Sequence, residues 1–429
     1  MNLNIAALRA LEILDSRGIP TLEVEVRLEC GITASAQVPS GASTGRYEAL
    51  ELRDHDPARH GGKGVRLACA HVENQLAAAV IGMSAEDHAA LDHRMIQADG
   101  TPNKSNLGAN AILGVSCAAA RAISIARREP LWKTLAALGQ QPRNASLPIP
   151  MVNILSGGLH AGRQIEFQDF LAVAHGFDSF AEALRAITDI HKETRLMLDE
   201  RGCHLTGVAD EGGWGPLLPS NESALQILTA AITRAGYRPL EQVSIAIDAA
   251  ASHFFEDGKY ALRSEGRSLV AAELIDLYAR WAPLYPIRSL EDGLDQDDWD
   301  GWQLLTARLG GAMQLVGDDL FTTNCERLRR GITNRAANAV LVKMNQIGTL
   351  TETFEVLDLA RAAGFLAVVS ARSGETEDSF LADLACAAGA GQIKVGSVTR
   401  SSRLSKYNRL LALERDGELT WRASSSFPF

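Results

Sequence analysis

At 429 residues the chain is longer than one ordinary domain and long enough to bury a large core, and its 46% hydrophobic and 22% charged residues are the balance of a globular protein. A formal net charge of −10 argues against a nucleic-acid or anionic-membrane partner, both of which call for clustered Lys and Arg. It leaves room for an anionic substrate held by a local basic pocket or a bound cation. The first residues show no basic stretch followed by an apolar run, and no segment approaches the roughly 18 uninterrupted apolar residues of a membrane span. The six cysteines (Cys30, Cys69, Cys117, Cys203, Cys325, Cys386) form no CxxC pair, which fits reduced thiols in a cytoplasmic protein.

In chain order, Thr21–Cys30 alternates Leu22, Val24, Val26 and Leu28 with Glu23, Glu25, Arg27 and Glu29, the period of a half-exposed antiparallel strand. Gly31 and Ile32 turn the chain into a second strand over Thr33–Val38. A Gly/Ser-rich loop, PSGASTG, follows. Helical sequence then runs from about Val65 to Leu138, with Asn106–Arg128 apolar on most faces and so predicted to be a buried helix. Strands followed by helices predict an N-terminal α+β domain over residues 1–138. After the polar stretch Gly139–Ser146, short apolar runs (Val243–Ala249, Ile287–Leu290, Met313–Val316, Ala339–Val342, Ala367–Ser370, Gln392–Val395) alternate with helical spacing. That texture predicts a parallel (β/α) barrel over residues 139–429, with a doubly wound open sheet as the alternative.

Functional residues of such barrels sit at the C-terminal ends of the strands. The apolar runs end, in order, in Asp248, Glu291, Asp318, Lys343, Arg372 with Ser373, and Lys394. From Glu291 onward each step is about one strand–helix unit. Three carboxylates in register make a hard, all-oxygen site suited to Mg²⁺, whereas any one alone is most simply a helix cap or a surface ion pair. A lysine beside a metal and a second cation has a lowered pKa and can serve as a base, although Lys343 and Lys394 could equally be plain anion binders. Two further loops, Ser40–Gly45 and Gly157–Gly162 with His160, have the composition of lids, and turns of this kind are usually only turns. Asp210-Glu211-Gly212-Gly213 follows the apolar Leu205–Val208, so Glu211 could reach the barrel mouth.

The blocks Ile13-Leu14-Asp15-Ser16-Arg17-Gly18, VPSGASTG, LGANAILGVS, DEGG, SLEDGLDQDDW, VGDDL, VKMNQIGTLTET, RSGETED and GQIKVGS, ending with Lys406-Tyr407-Asn408, resemble the enolase family along essentially the whole chain. The resemblance implies an α+β domain followed by a barrel with atypical, partly antiparallel first strands. It also implies a homodimer or higher homo-oligomer, two Mg²⁺ ions per site, and a small phosphorylated carboxylic acid as substrate. Residue by residue, Asp248, Glu291 and Asp318 resemble ligands of the tighter metal, and Ser43 the lid serine at the second. Lys343 resembles the base, Glu211 the acid, and His160 the lid histidine. Arg372 and Ser373 resemble phosphate binders, Lys394 the carboxylate binder, and Gln168 a further polar contact.

Departures from the family pattern cluster near the substrate. Ala371 replaces a histidine, Asp169 shortens a catalytic-site Glu, Ser156 replaces an Asn, and Arg163 adds a charge to the lid. Retained metal ligands and base beside an altered wall lead to the expectation of a modified substrate. Ala371 and Arg163 would then accommodate an extra anionic group near phosphorus, as in carboxyphosphonoenolpyruvate synthesis in phosphinothricin-type natural product biosynthesis. The alternatives are the family's ordinary dehydration of 2-phosphoglycerate and an inactive relative with a binding role.

Overall fold

The computed structural model describes residues 1–42, 45–139 and 143–421. An antiparallel sheet opens the chain, with strands β1 (Ile5–Leu14), β2 (Pro20–Leu28) and β3 (Thr33–Gln37) in that order. β2 follows its alternation: Leu22, Val24, Val26 and Leu28 are buried and the intervening charged residues are not. β1, with its Ala-, Leu-, Arg- and Glu-rich sequence, carries no such signal, and pairing with β2 makes it a strand.

On this sheet lies helix α1 (Ala109–Arg127), buried over most of its surface. It is long and apolar enough to cross a membrane by composition, but 83% of that window is buried within the protein, so it is a core helix. Gly114 sets the depth of this packing, because a Cβ there would collide with Val24 and Val38.

The rest of the described chain is dominated by a closed eight-stranded barrel. Its strands are β4 (Ile149–Ser156), β5 (Asp169–Ala174), β6 (Val243–Asp248), β7 (Ile287–Glu291), β8 (Gln314–Gly317), β9 (Ala339–Val342), β10 (Leu366–Ser370) and β11 (Gly391–Gly396). They neighbour one another in chain order, and β11 closes on β4. β5 runs antiparallel to both its neighbours, and the remaining pairs are parallel. Ile149, Met151, Leu171, Val173, Val316, Leu341 and Val368 form a separate buried cluster that fills the barrel interior, so it is a packed core and not a pore. Several helices start on side-chain caps: Ser179, Ser220, Asp298, Asn324 and Thr349 each accept an amide from the first turn.

The reversal of β5 matters for function. Its first residue, Asp169, pairs with Ser156 at the end of β4 and with Asp248 at the end of β6. A residue at the start of a strand thereby reaches the rim where the other strands end. The run Leu205–Val208 is not a strand; it is a partly exposed loop. Glu211 is instead fixed by a tight turn, in which Gly212 N donates to Ala209 O at 2.9 Å, and by Ser397 N donating to its carbonyl at 2.9 Å.

Candidate active site

At the C-terminal rim a pocket is lined by His160, Gln168, Asp169, Glu211, Asp248, Lys343, Ala371, Arg372, Ser373 and Lys394, among others. The residues ending successive strands therefore do converge. Lys394 Nζ donates to Asp248 Oδ2 at 2.8 Å and to Glu291 Oε1 and Oε2 at 2.8 and 2.7 Å. Gln168 Nε2 donates to the same Asp248 oxygen at 3.1 Å. Asp318 accepts from Lys343 Nζ and, at 2.9 Å, from Gln346 Nε2.

Burial and the neighbouring Asp248 push the Glu291 carboxyl well above the usual carboxylate range, although Lys394 opposes this. Lys394 is held well above its ordinary value: burial disfavours its charge, but Asp248 and Glu291 outweigh burial. Lys394→Met therefore leaves two buried carboxylates without their shared cation. It is expected to cost about 3–5 kcal/mol of stability in metal-free buffer, read as a fall in the urea midpoint. An unchanged midpoint would contradict this account of the cluster.

Burial lowers the Lys343 pKa, but the carboxylates of Asp318 and Glu291 together outweigh it and hold the group raised in the protein without a bound cation; the lowering expected beside a metal and a second cation concerns the metal-bound site. Asp318 itself is lowered: burial raises it, but Lys343 and Lys394 prevail.

On the opposite side, His160 Nδ1 lies 3.1 Å from Asp169 Oδ2, and its Nε2 is 4.0 Å from Glu211 Oε1. Burial lowers the imidazole's pKa, yet Asp169 and Glu211 bring it up to about 9. Burial raises the Glu211 pKa, but His160, Arg403, Lys394 and Lys343 together lower it. The shortened Asp169 is well accommodated. Ser156 Oγ donates to its Oδ1 at 3.0 Å, Asn153 Nδ2 donates to the same oxygen, and the residue is fully buried.

Arg372 and Ser373 follow β10. Arg372 Nη1 and Nη2 donate to the two oxygens of Glu48 at 3.0 and 3.2 Å, and Nη1 also donates to Asn345 Oδ1 at 2.8 Å. Ser373 Oγ accepts from Ala42 N at 2.7 Å and from Arg17 Nη1 at 3.2 Å. Arg403, from the helix Ser401–Asp416, donates to the carbonyls of Arg372, Ser373 and Val395 and braces this loop from behind. Ser43 lies outside the described residues.

Arg163 does not join the site. It is exposed, with φ of 59°, and lines a separate cleft with His253, Glu166 and Glu256, because the turn that closes on Gly158 directs it outward. Ala371 lines the pocket. Sequence reasoning missed Asn153, Glu48, Asn345, Gln346 and Asp292. Asp292 Oδ1 and Oδ2 accept the amides of Asp318 and Asp319 at 2.9 and 2.8 Å and so set the direction of the Asp318 strand end. Gln346 sits within the VKMNQIGTLTET block and Asp292 within SLEDGL, which is the only signal that pointed to them.

The donor set fits a hard divalent cation. Asp248, Glu291 and Asp318 are all buried, supply only oxygen, and are compensated by ammonium groups. A barrel rim that carries clustered carboxylates, two lysines and a buried His–Asp pair can hold a hard cation and place groups able to give and take protons on opposite sides of one pocket. The comparisons specify the family. The family model described as "Enolase, N-terminal domain" matches residues 5–135, and "Enolase, C-terminal TIM barrel domain" matches residues 144–424. A protein named Enolase from Rubrobacter xylanophilus is 55% identical over 410 residues, covering 96% of this chain and 94% of its own. Proteins named Enolase 2 from Pseudomonas syringae pv. tomato and pv. syringae are each 52% identical over 417 residues, covering 97% of this chain and 96% of theirs. The chain belongs to the enolase family of magnesium-dependent hydro-lyases.

These names, and the outward position of Arg163, do not support the expectation of a phosphorus-modified substrate or a role in phosphonate or antibiotic biosynthesis. The ordinary family reaction, carried as the alternative, is the better reading.

Proposed function

We propose that this protein catalyses the reversible dehydration of 2-phosphoglycerate to phosphoenolpyruvate. The observation that carries the reading is the pairing, across one pocket, of a lysine on a carboxylate (Lys343–Asp318) with a buried imidazole flanked by two carboxylates (Asp169, His160, Glu211). Elimination of water from a carbon α to a carboxylate needs a base on one face and a proton source on the other.

Asp248, Glu291 and Asp318 would hold Mg²⁺, with Ser43 at a second ion. Bound Mg²⁺ supplies positive charge to the substrate carboxylate as its α-proton leaves. An Asp318 committed to that ion would no longer hold Lys343 protonated, and burial, Arg372 and Lys394 would favour its neutral form. Lys343 takes the α-proton. Lys394 and Gln168 orient the carboxylate end, and Arg372 and Ser373 the phosphate. Across the pocket Glu211 faces the β-hydroxyl and passes it the proton stored on His160, which Asp169 orients. The same reading carries a homodimer or larger homo-oligomer and a cytoplasmic location.

The test is the rise in ultraviolet absorbance of phosphoenolpyruvate from 2-phosphoglycerate with Mg²⁺, which EDTA should abolish and added Mg²⁺ restore. No turnover under those conditions would defeat the proposal. Because Arg163 is exposed and its charge is screened by salt, Arg163→Ala should leave kcat/KM within about twofold. A tenfold loss would return Arg163 to the site.

A further inference from the structure

Glu48 lies outside every role assigned so far, yet its side chain is only 6% exposed and sits where three parts of the site meet. Its two oxygens take both terminal nitrogens of Arg372. Oε1 also accepts Gly45 N at 2.8 Å and Gln346 Nε2 at 3.3 Å, and that same Gln346 nitrogen donates to Asp318 Oδ1 at 2.9 Å. Gln346 is itself held, its Oε1 accepting from Thr323 Oγ1 at 2.7 Å.

The segment presenting Glu48 is pinned to the barrel. The Tyr47 ring packs against the Arg327 guanidinium at 3.7 Å, Tyr47 OH donates to Asp297 at 2.8 Å, and Ala49 N donates to Gln346 O at 2.8 Å. The carboxylate is thus built into position and is not a surface group that happens to reach Arg372.

A bidentate Arg–carboxylate pair is the geometry by which Arg also grips a phosphate. An anion arriving at Arg372 meets a guanidinium already engaged by a fixed carboxylate. We propose that Glu48 is a positioning residue that competes with the substrate phosphate for Arg372, tempering phosphate affinity while tying the position of Arg372, through Gln346, to that of Asp318. This rests on Arg372 being the phosphate binder.

The proposal makes an asymmetric prediction. Glu48→Gln keeps the length and one acceptor oxygen but removes the charge. Arg372 loses its internal competitor, so inorganic phosphate should bind several-fold more tightly by calorimetry on the Mg²⁺-loaded protein. Turnover of 2-phosphoglycerate should fall about tenfold or more, as Arg372 and Asp318 lose their common tether and product phosphate is held longer. A merely structural residue would weaken both together. Glu48→Asp keeps the charge, and its phosphate affinity should stay within about twofold of wild type. Unchanged or weakened phosphate binding in Glu48→Gln, or equal effects of the Asp and Gln variants on phosphate affinity, would overturn the proposal. Arg372→Met separates the two readings: phosphate affinity undiminished in that variant would remove Arg372 as the phosphate binder, whatever Glu48 does.

Discussion

Lys343→Ala is expected to stop exchange of the substrate α-proton with solvent deuterium and to lower turnover by roughly 10²- to 10⁴-fold, the range that a positioned base contributes. Lys343 is half-buried and follows β9 at the rim, with Asp318 as its carboxylate partner. Removing it deletes the only lysine besides Lys394 among the residues that line the pocket. Lys394 cannot replace it, because it is engaged by Asp248 and by both oxygens of Glu291. The variant should still fold, since Asp318 keeps its bond from Gln346. Deuterium exchange at the wild-type rate in Lys343→Ala would remove this residue from the role of base.

Asp318→Asn is expected to lower turnover by about 10³-fold while the far-ultraviolet spectrum is unchanged. A carboxylate of the cation site becomes neutral, and that loss dominates; the accompanying fall in the Lys343 pKa favours its basic form and does not offset it. Loss of about 4 kcal/mol of transition-state charge stabilisation corresponds to such a rate factor. Apparent affinity for Mg²⁺, measured by activity titration, should fall in the same variant. Comparable turnover at saturating Mg²⁺ would contradict the assignment of Asp318 to the metal.

How far the sequence anticipates this site depends on the element. β6 to β11 are buried in a barrel wall, so each reads as a short apolar run, and the residue that ends it is visible directly for Asp248, Glu291, Asp318 and Lys343, whereas Lys394 interrupts its run inside β11. β4 and β5 escape it. β4 begins at Ile149 and contains Pro150, which argues against a central strand, and β5 carries its functional residue at its start because it runs backwards. Asp169 was therefore reachable only through the family resemblance.

β2 alternates cleanly because one face is covered by α1 and the other is not; β1 does not, and its strand state is set by pairing that no local pattern encodes. Contacts made across the two halves of the chain were likewise illegible. Glu48 to Arg372 spans a sequence separation of 324 residues, and nothing at either position signals the other. Arg163 shows the opposite failure. A charge placed by sequence on a loop near the substrate says nothing about which way a residue with positive φ will point.

The most direct test of the central claim is incubation of the wild-type protein with 2-phosphoglycerate and Mg²⁺ in deuterium oxide, followed by proton magnetic resonance. The account predicts that phosphoenolpyruvate appears and that the remaining 2-phosphoglycerate loses its α-proton signal as deuterium enters through Lys343. Recovery of fully protonated 2-phosphoglycerate with no phosphoenolpyruvate would contradict it.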